Sequence, residues 1–401
     1  MPATTTKLCS ETLTMIPVNE PVLGGRELEY VSECIQTGWI SSAGRFIEEF
    51  EDKWAAYCGM KQGVAMSNGT TALHAAVACL ELNPGDRIIM PAFTIISCAL
   101  SVIYNGCIPL LVDCDPETWC MDVEQVKILL EKETKNGSNP VRAIMPVHIY
   151  GHPVDMDPVR GLADEYDLVI IEDAAEAHGA EYLTGHQANE SKWNRCGGLG
   201  HISTFSFYAN KLITTGEGGM VLTNDPVYAE KARSFRNLCF RNDRRFFHTE
   251  LGHNFRMTNL QAAIGLAQLE RIDEIVTRKR RIGRMYSERL NEIPGIQLPV
   301  EKSWARSVYW MYGVVVDGST GLNTASLGAR LKENDVDTRP FFLGMHEQPV
   351  FRNMGLFQND RFPVTERISR QGLYLPSGLA LTESQLDQVC EAVRKILKRK
   401  F

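Results

Sequence analysis

Between residues 60 and 180 short apolar runs alternate with longer amphipathic ones. Gly63–Met66, Arg87–Met90, Leu110–Asp113, Ala143–His148 and Leu168–Ile171 read as strands, several apolar at every position, as in a strand covered on both faces. Helical periodicity fills the intervals at 70–81, 94–104, 122–133 and 155–165. This alternation predicts an α/β fold with a mostly parallel sheet sandwiched by helices. Upstream, helical patterns at Glu27–Gln36 and Arg45–Cys58 flank a break at Gly38-Trp39-Ile-Ser41-Ser42-Ala-Gly44. After Asn259 the pattern changes to a long helical run, Leu260–Asn291, a strand at Val308–Val316, and helices at Leu327–Asn334 and Glu383–Lys398. We therefore expect a flexible arm over 1–15, a large domain over 16–250 and a smaller C-terminal α+β domain over 251–401. The polar, Gly-rich segment Tyr182–His201 reads as a surface hairpin or loop.

Charge narrows the function classes. A net charge of -7 argues against a nucleic-acid partner, whose phosphates demand a basic face. No apolar run approaches the roughly 20 residues that span a bilayer, and the first ten residues lack the apolar core of a signal peptide. A cytoplasmic enzyme without a membrane partner is expected. The 11 cysteines are scattered, with no Cys-x-x-Cys pair, so neither a disulfide framework nor a metal site is expected. Cys79, Cys98, Cys107 and Cys114 lie in apolar stretches and read as small buried hydrophobes. The basic run Arg278-Lys-Arg-Arg281 reads as a solvated helix face.

Three stretches carry candidate chemistry. In Ser203-Thr-Phe-Ser-Phe-Tyr-Ala-Asn-Lys211, alternating aromatics predict a strand ending near Asn210, with Lys211 at its end; Gly216, Gly218 and Gly219 then permit a reversal into the strand Met220–Thr223. The apolar run from Leu168 stops at Asp173, and ligands of parallel sheets bind outside the carboxyl ends of strands. Ser67-Asn-Gly-Thr-Thr71 opens a helix, whose free N–H groups and positive dipole end suit an anion. Singly, a solvated lysine, a strand-end carboxylate and an ordinary helix cap would explain them. Together they are the protein groups that pyridoxal 5'-phosphate requires: a lysine to bond it, a carboxylate for its ring nitrogen and a cradle for its phosphate.

From Ile16 onward the chain resembles the DegT/StrS-type sugar aminotransferases, which have the aspartate-aminotransferase fold. The likeness rests on Gly38-Trp-Ile-Ser-Ser42, Ser67-Asn-Gly-Thr70, Val147-His-Ile-Tyr-Gly151, Glu172-Asp-Ala-Ala-Glu-Ala177, Ser206-Phe-Tyr-Ala-Asn-Lys211, Gly216-Glu-Gly-Gly219 and His253-Asn-Phe-Arg-Met-Thr258. It implies a fold-type I enzyme whose large domain holds a seven-stranded sheet. It also implies transfer of an amino group from L-glutamate to a 4-keto-6-deoxy nucleotide sugar through pyridoxal and pyridoxamine 5'-phosphate, for surface polysaccharide synthesis.

In that likeness Lys211 bonds the cofactor and carries the proton, and Asp173 pairs with the ring nitrogen. Ser67, Asn68, Gly69, Thr70 and Ser206 take the phosphate. Glu176 stands beside the ring hydroxyl, where most of the family carries glutamine and the branch forming GDP-linked perosamine carries glutamate. At Ile95 relatives have an aromatic stacked on the ring, so either Ile95 or Phe93 would cover it here. The likeness assigns Asn254 to the cofactor phosphate of a second subunit, making a homodimer with shared sites. Trp39, Ser41, His148, Arg256 and Arg339 are candidate substrate contacts, and His178 receives no catalytic role. Two alternatives remain at this level: amination of a UDP-linked, dTDP-linked or nucleotide-free keto sugar, and a cofactor-binding regulatory protein without turnover. A dehydratase is disfavoured, because that branch replaces the lysine with histidine.

Overall fold

The computed structural model describes residues 15–135, 139–188, 190–241 and 243–398. The expected arm over 1–15 therefore lies outside the described residues except for Met15. Helices α1 (Glu27–Thr37) and α2 (Arg45–Cys58) lead into β1 (Gln62–Met66), α3 (Gly69–Ala78), β2 (Arg87–Pro91), α4 (Ser97–Tyr104), β3 (Ile108–Val112), α5 (Val123–Glu133), β4 (Val141–Ile144), α6 (Met156–Tyr166) and β5 (Val169–Asp173). The hairpin β6 (Glu181–Thr184) and β7 (Lys192–Arg195) follows, then β8 (Ile202–Ser206), β9 (Gly219–Thr223) and α7 (Pro226–Phe235).

The main sheet has seven strands in the order β1-β9-β8-β5-β4-β2-β3. Only β9 runs against its neighbours, so β1, β2, β5 and β8 end on one edge of the sheet and β9 begins there. Every residue of β9 is buried, and β1, β2 and β5 are buried after their first position, which accounts for apolar runs without alternation.

The strand expected to reach Asn210 ends at Ser206. Beyond it the chain turns: Lys211 N–H donates to the Tyr208 carbonyl, and the Asn210 carbonyl accepts from the indole Nε1 of Trp310 at 2.8 Å and from Asn19 Nδ2 at 2.7 Å. Side chains take the bond that a ladder would have used, and Lys211 sits on a turn rather than on the strand.

The long helical run after Asn259 is two helices, α8 (Asn259–Leu269) and α9 (Ile272–Leu290), interrupted at Glu270 and Arg271. Helix α8 packs on α1 and α2, and its Ala262, Ala263 and Leu266 belong to the main core, although it follows the expected boundary at 250. A second apolar core gathers around Tyr286, Tyr312, Leu331, Leu375 and Val389. It lies against a four-stranded sheet formed by Ile296–Gln297, Tyr312–Val316, Gly372–Leu375 and Arg339–Pro340. The expected strand at 308–316 thus begins only at Tyr312.

In the region of 182–201, β6 and β7 pair antiparallel, and Ala305–Arg306 adds a third strand beside β6. The basic run on α9 is not wholly a solvated face. Arg280 pairs with Glu301, but Lys279 is buried and its Nζ donates to both the carbonyl and the hydroxyl of Ser377. Among the described residues every cysteine is free and buried, and no helix is long and apolar enough to cross a membrane.

Candidate active site

A cleft of ≈ 930 Å³ opens above the edge where β1, β2, β5 and β8 end. Asn68, Gly69, Thr70, Ile95, Asp173, Glu176, Ser206, Lys211 and Arg339 all line it. Asn68 through Lys211 converge because the strands deliver their ends to one edge of the main sheet, and Arg339 arrives from the four-stranded sheet.

The floor of the cleft is the N-terminus of α3. Asn68 caps this helix by accepting from Thr71 N at 2.9 Å, and the Thr71 hydroxyl receives the Asn68 N–H in return, a reciprocal cap contributing about 1 kcal/mol. A Cβ on Gly69 would lie 2.6 Å from the Cβ of Ser206, and one on Gly219 would lie 2.3 Å from the Asn68 carbonyl oxygen. Glycines at both positions let the helix end press against β8 and β9, leaving open backbone beside the Ser206 hydroxyl, as phosphate oxygens require.

Asp173 lies at the end of β5 and is 1% exposed. Its carboxylate accepts from Ala175 N at 3.0 Å and from Cys98 Sγ at 3.1 Å. Burial pushes this carboxyl above its ordinary value, while the two hydrogen bonds and nearby Lys211 pull the other way. An enclosed carboxylate with no directly paired cation among the described residues suits the protonated ring nitrogen of pyridoxal phosphate.

Across the cleft the Lys211 amine stands 3.7 Å from Oε1 of Glu176 and 3.6 Å above the centroid of the Trp310 indole. Burial drives the two partners in opposite senses, lowering the lysine and raising the glutamate, against their mutual attraction. A desolvated cation–π contact supplies about 2 kcal/mol, whereas enclosing an ion costs several. Burial moves the amine toward the uncharged form that can accept a proton, and Glu176 and Asp173 oppose that shift. Glu176 is held by the Tyr150 N–H at 2.7 Å, from a residue whose φ of 53° is uncommon outside glycine.

Of Ile95 and Phe93, Ile95 is the one that borders the cleft. It is 39% exposed, whereas Phe93 is fully enclosed among Tyr150, Phe341 and Phe342. His148 does not reach the cleft: it is fully buried, one ring nitrogen lies 2.9 Å from Glu172 and the other accepts the Val154 N–H. Ser67 also lies outside the lining, its hydroxyl 3.2 Å from that of Thr71 and its N–H bonded to the Phe255 carbonyl. Trp39 and Ser41 sit on an exposed loop tied to Asn259 through their carbonyl oxygens, and Arg256 pairs with Asn237 at 2.7 Å. Asn254 is exposed and absent from the cleft of its own chain. Arg339 reaches the cleft bonded to Asp337 at 2.7 Å. His178 is enclosed by Trp54, Phe205 and Phe207, where burial lowers its pKa to about 3 and keeps it neutral.

Sequence reasoning missed Trp310 and Tyr374, which line the cleft and belong to the main core. Trp310 follows Tyr309 directly ahead of a strand, which in isolation reads as packing. His148, Glu172 and Cys196 form a buried group of metal-ligating types, but Glu172 already accepts from Gly197, Leu199 and Gly200 N–H as well as contacting His148. Its lone pairs are committed to holding this loop.

A buried lysine with depressed basicity, an enclosed strand-end carboxylate and a helix-end anion cradle around one cleft define a pyridoxal phosphate-dependent enzyme. Comparison with known proteins agrees. The DegT/DnrJ/EryC1/StrS aminotransferase family matches residues 21–394, and the chain belongs to this family. It is a pyridoxal phosphate-dependent sugar aminotransferase. The chain is 41% identical over 386 residues to the GDP-perosamine synthase of Caulobacter vibrioides, covering 96% of this chain and 99% of that protein. It is 38% identical over 385 residues to the GDP-perosamine synthase of Escherichia coli O157:H7, covering 96% and 99%. Among solved structures, S. venezuelae DesV superposes with a TM-score of 0.84 at 31% identity, covering 94% of this chain and 95% of that one.

Proposed function

We propose that the protein transfers the amino group of L-glutamate to the C4 carbonyl of a 4-keto-6-deoxy sugar carried on GDP, most closely GDP-4-keto-6-deoxymannose, giving GDP-perosamine for surface polysaccharide synthesis in the cytoplasm. The observation that carries this reading is 41% identity over almost the whole of both chains to a GDP-perosamine synthase. Bound pyridoxal phosphate supplies an electron sink for the carbanion formed at the reacting carbon. Asp173 holds the ring nitrogen protonated. Lys211 would bond the cofactor, and its free amine would take up and return the proton at the substrate carbon. Glu176, 3.7 Å away, offers the carboxylate against which that amine carries the proton in transit. Gly69, Thr70 and Ser206 would hold the phosphate, and Ile95 would supply an apolar wall of the cleft. Arg339 at the mouth is suited to a substrate phosphate or carboxylate.

The reading includes a homodimer in which Asn254 serves the partner's cofactor phosphate. Support comes from its exposed side chain, placed outside the cleft of its own chain. Mass spectrometry of products from GDP-, UDP- and dTDP-linked and nucleotide-free keto sugars, each supplied with glutamate, tests the substrate assignment. Amination of the GDP-linked sugar far ahead of the others is expected. Preference for a dTDP- or UDP-linked sugar would overturn it.

A further inference from the structure

The carboxylate of Asp173 is gripped by a side chain to which the accepted roles give no task. Cys98 lies in the first turn of α4, fully buried, with its sulfur 3.1 Å from Oδ2 of Asp173. Burial pushes this thiol well above its ordinary value, so it remains S–H and has one proton to donate. An ionised carboxylate only accepts, and that proton is therefore directed at Asp173. Thr94 Oγ1 lies 3.3 Å from the same sulfur. With the thiol proton committed, the Thr94 hydroxyl is the donor in that contact. A chain of two hydrogen bonds results, from Thr94 O–H to Cys98 sulfur and from Cys98 S–H to Asp173. Thr94 is 1% exposed and borders the cleft, so the chain runs from the cleft wall to the carboxylate without contact with bulk water. The positive end of α4 acts in the same sense, favouring negative charge beside its first turn.

We propose that Cys98 is a positioning residue for amino transfer, whose thiol, backed by Thr94, keeps Asp173 ionised and oriented toward the cofactor ring nitrogen. This rests on the reading of Asp173 as the partner of that nitrogen. A buried cysteine is more often a small core hydrophobe; here the direct contact with the carboxylate separates the two roles. Donation to a charged acceptor outweighs a neutral hydrogen bond, and a thiol is a weak donor, so the expected effect is about 10-fold.

The test uses full-length protein stripped of cofactor and titrated with pyridoxal phosphate, following quenching of intrinsic fluorescence, alongside kcat of the reloaded enzyme. Cys98→Ala is expected to raise the cofactor dissociation constant and lower kcat, each about 10-fold. Cys98→Ser, which restores a donor in nearly the same volume, is expected to recover most of both. In an Asp173→Asn background Cys98→Ala should leave the dissociation constant within about twofold. Equal losses for the Ala and Ser variants would mean that the sulfur only fills space and would overturn the proposal. So would an unaltered Cys98→Ala enzyme, or an undiminished effect in the Asp173→Asn background. Failure of the underlying reading is separately visible, as Asp173→Asn alone retaining wild-type kcat.

Discussion

The Lys211 amine and the Glu176 carboxylate stand 3.7 Å apart, with side chains only 9% and 6% exposed. Burial lowers the basicity of the lysine while the glutamate opposes that fall. Glu176→Gln removes the opposition and keeps the shape. The Lys211 amine should then titrate at lower pH, and the acidic limb of the kcat profile, where the base becomes protonated, should move to lower pH. A limb that stays in place or moves up would mean that Glu176 does not act on Lys211.

Asp173→Asn should preserve the fold and some cofactor binding, because the amide can still accept the Ala175 N–H. It cannot hold the ring nitrogen protonated, and amino transfer should fall by about 10³-fold. Transfer at half the wild-type rate, in a variant whose secondary structure and Tm match wild type, would reduce Asp173 to a strand-end cap.

Asn254 is exposed and outside its own cleft. If it completes the neighbouring site, Lys211→Ala and Asn254→Ala proteins, each inactive or nearly so alone, should recover activity on mixing. About half of randomised dimers are mixed and each has one intact site, so recovery should approach about a quarter of wild type. No recovery, with exchange verified by differently tagged subunits, would assign the whole site to one chain.

Lys279 gives a pH test of stability. Its folded pKa is lowered to about 7 from 10.5 by burial alone. The unfolded chain therefore binds more protons at this group between pH 7 and 10.5, and its contribution to stability rises with pH across that window and is lost as pH falls through 7. Lys279→Met removes this dependence. The stability of the variant relative to wild type, from urea unfolding, should fall by about 3 kcal/mol between pH 7 and pH 9.5. A difference independent of pH would show that Lys279 remains charged where it lies.

The sheet was legible because its strands are buried on both faces, which leaves apolar runs broken only at the carboxyl ends, and Asp173 ends one such run. Lys211 was found by its neighbours, yet its strand ends five positions earlier, since Trp310 and Asn19 claim the Asn210 carbonyl. No local pattern records a bond from a residue 100 positions away. The same limit hid the inward turn of Lys279, whose partner Ser377 lies 98 residues downstream. His148 misled for the opposite reason: a motif histidine beside the site has both nitrogens spent on Glu172 and Val154. Trp39, Ser41 and Arg256 sit on loops outside the lining of their own cleft, a placement that family likeness in the sequence does not record.

The central claim is that Lys211, and not another buried amine, bonds the cofactor. Lys279 is the natural rival, also buried and with a pKa lowered to about 7. Borohydride reduction of the cofactor-loaded protein, followed by tryptic mapping, decides between them. The account predicts a yellow protein that bleaches on reduction and carries the pyridoxyl group on the peptide containing Lys211. A pyridoxyl group on Lys279, or on any other lysine, would contradict it.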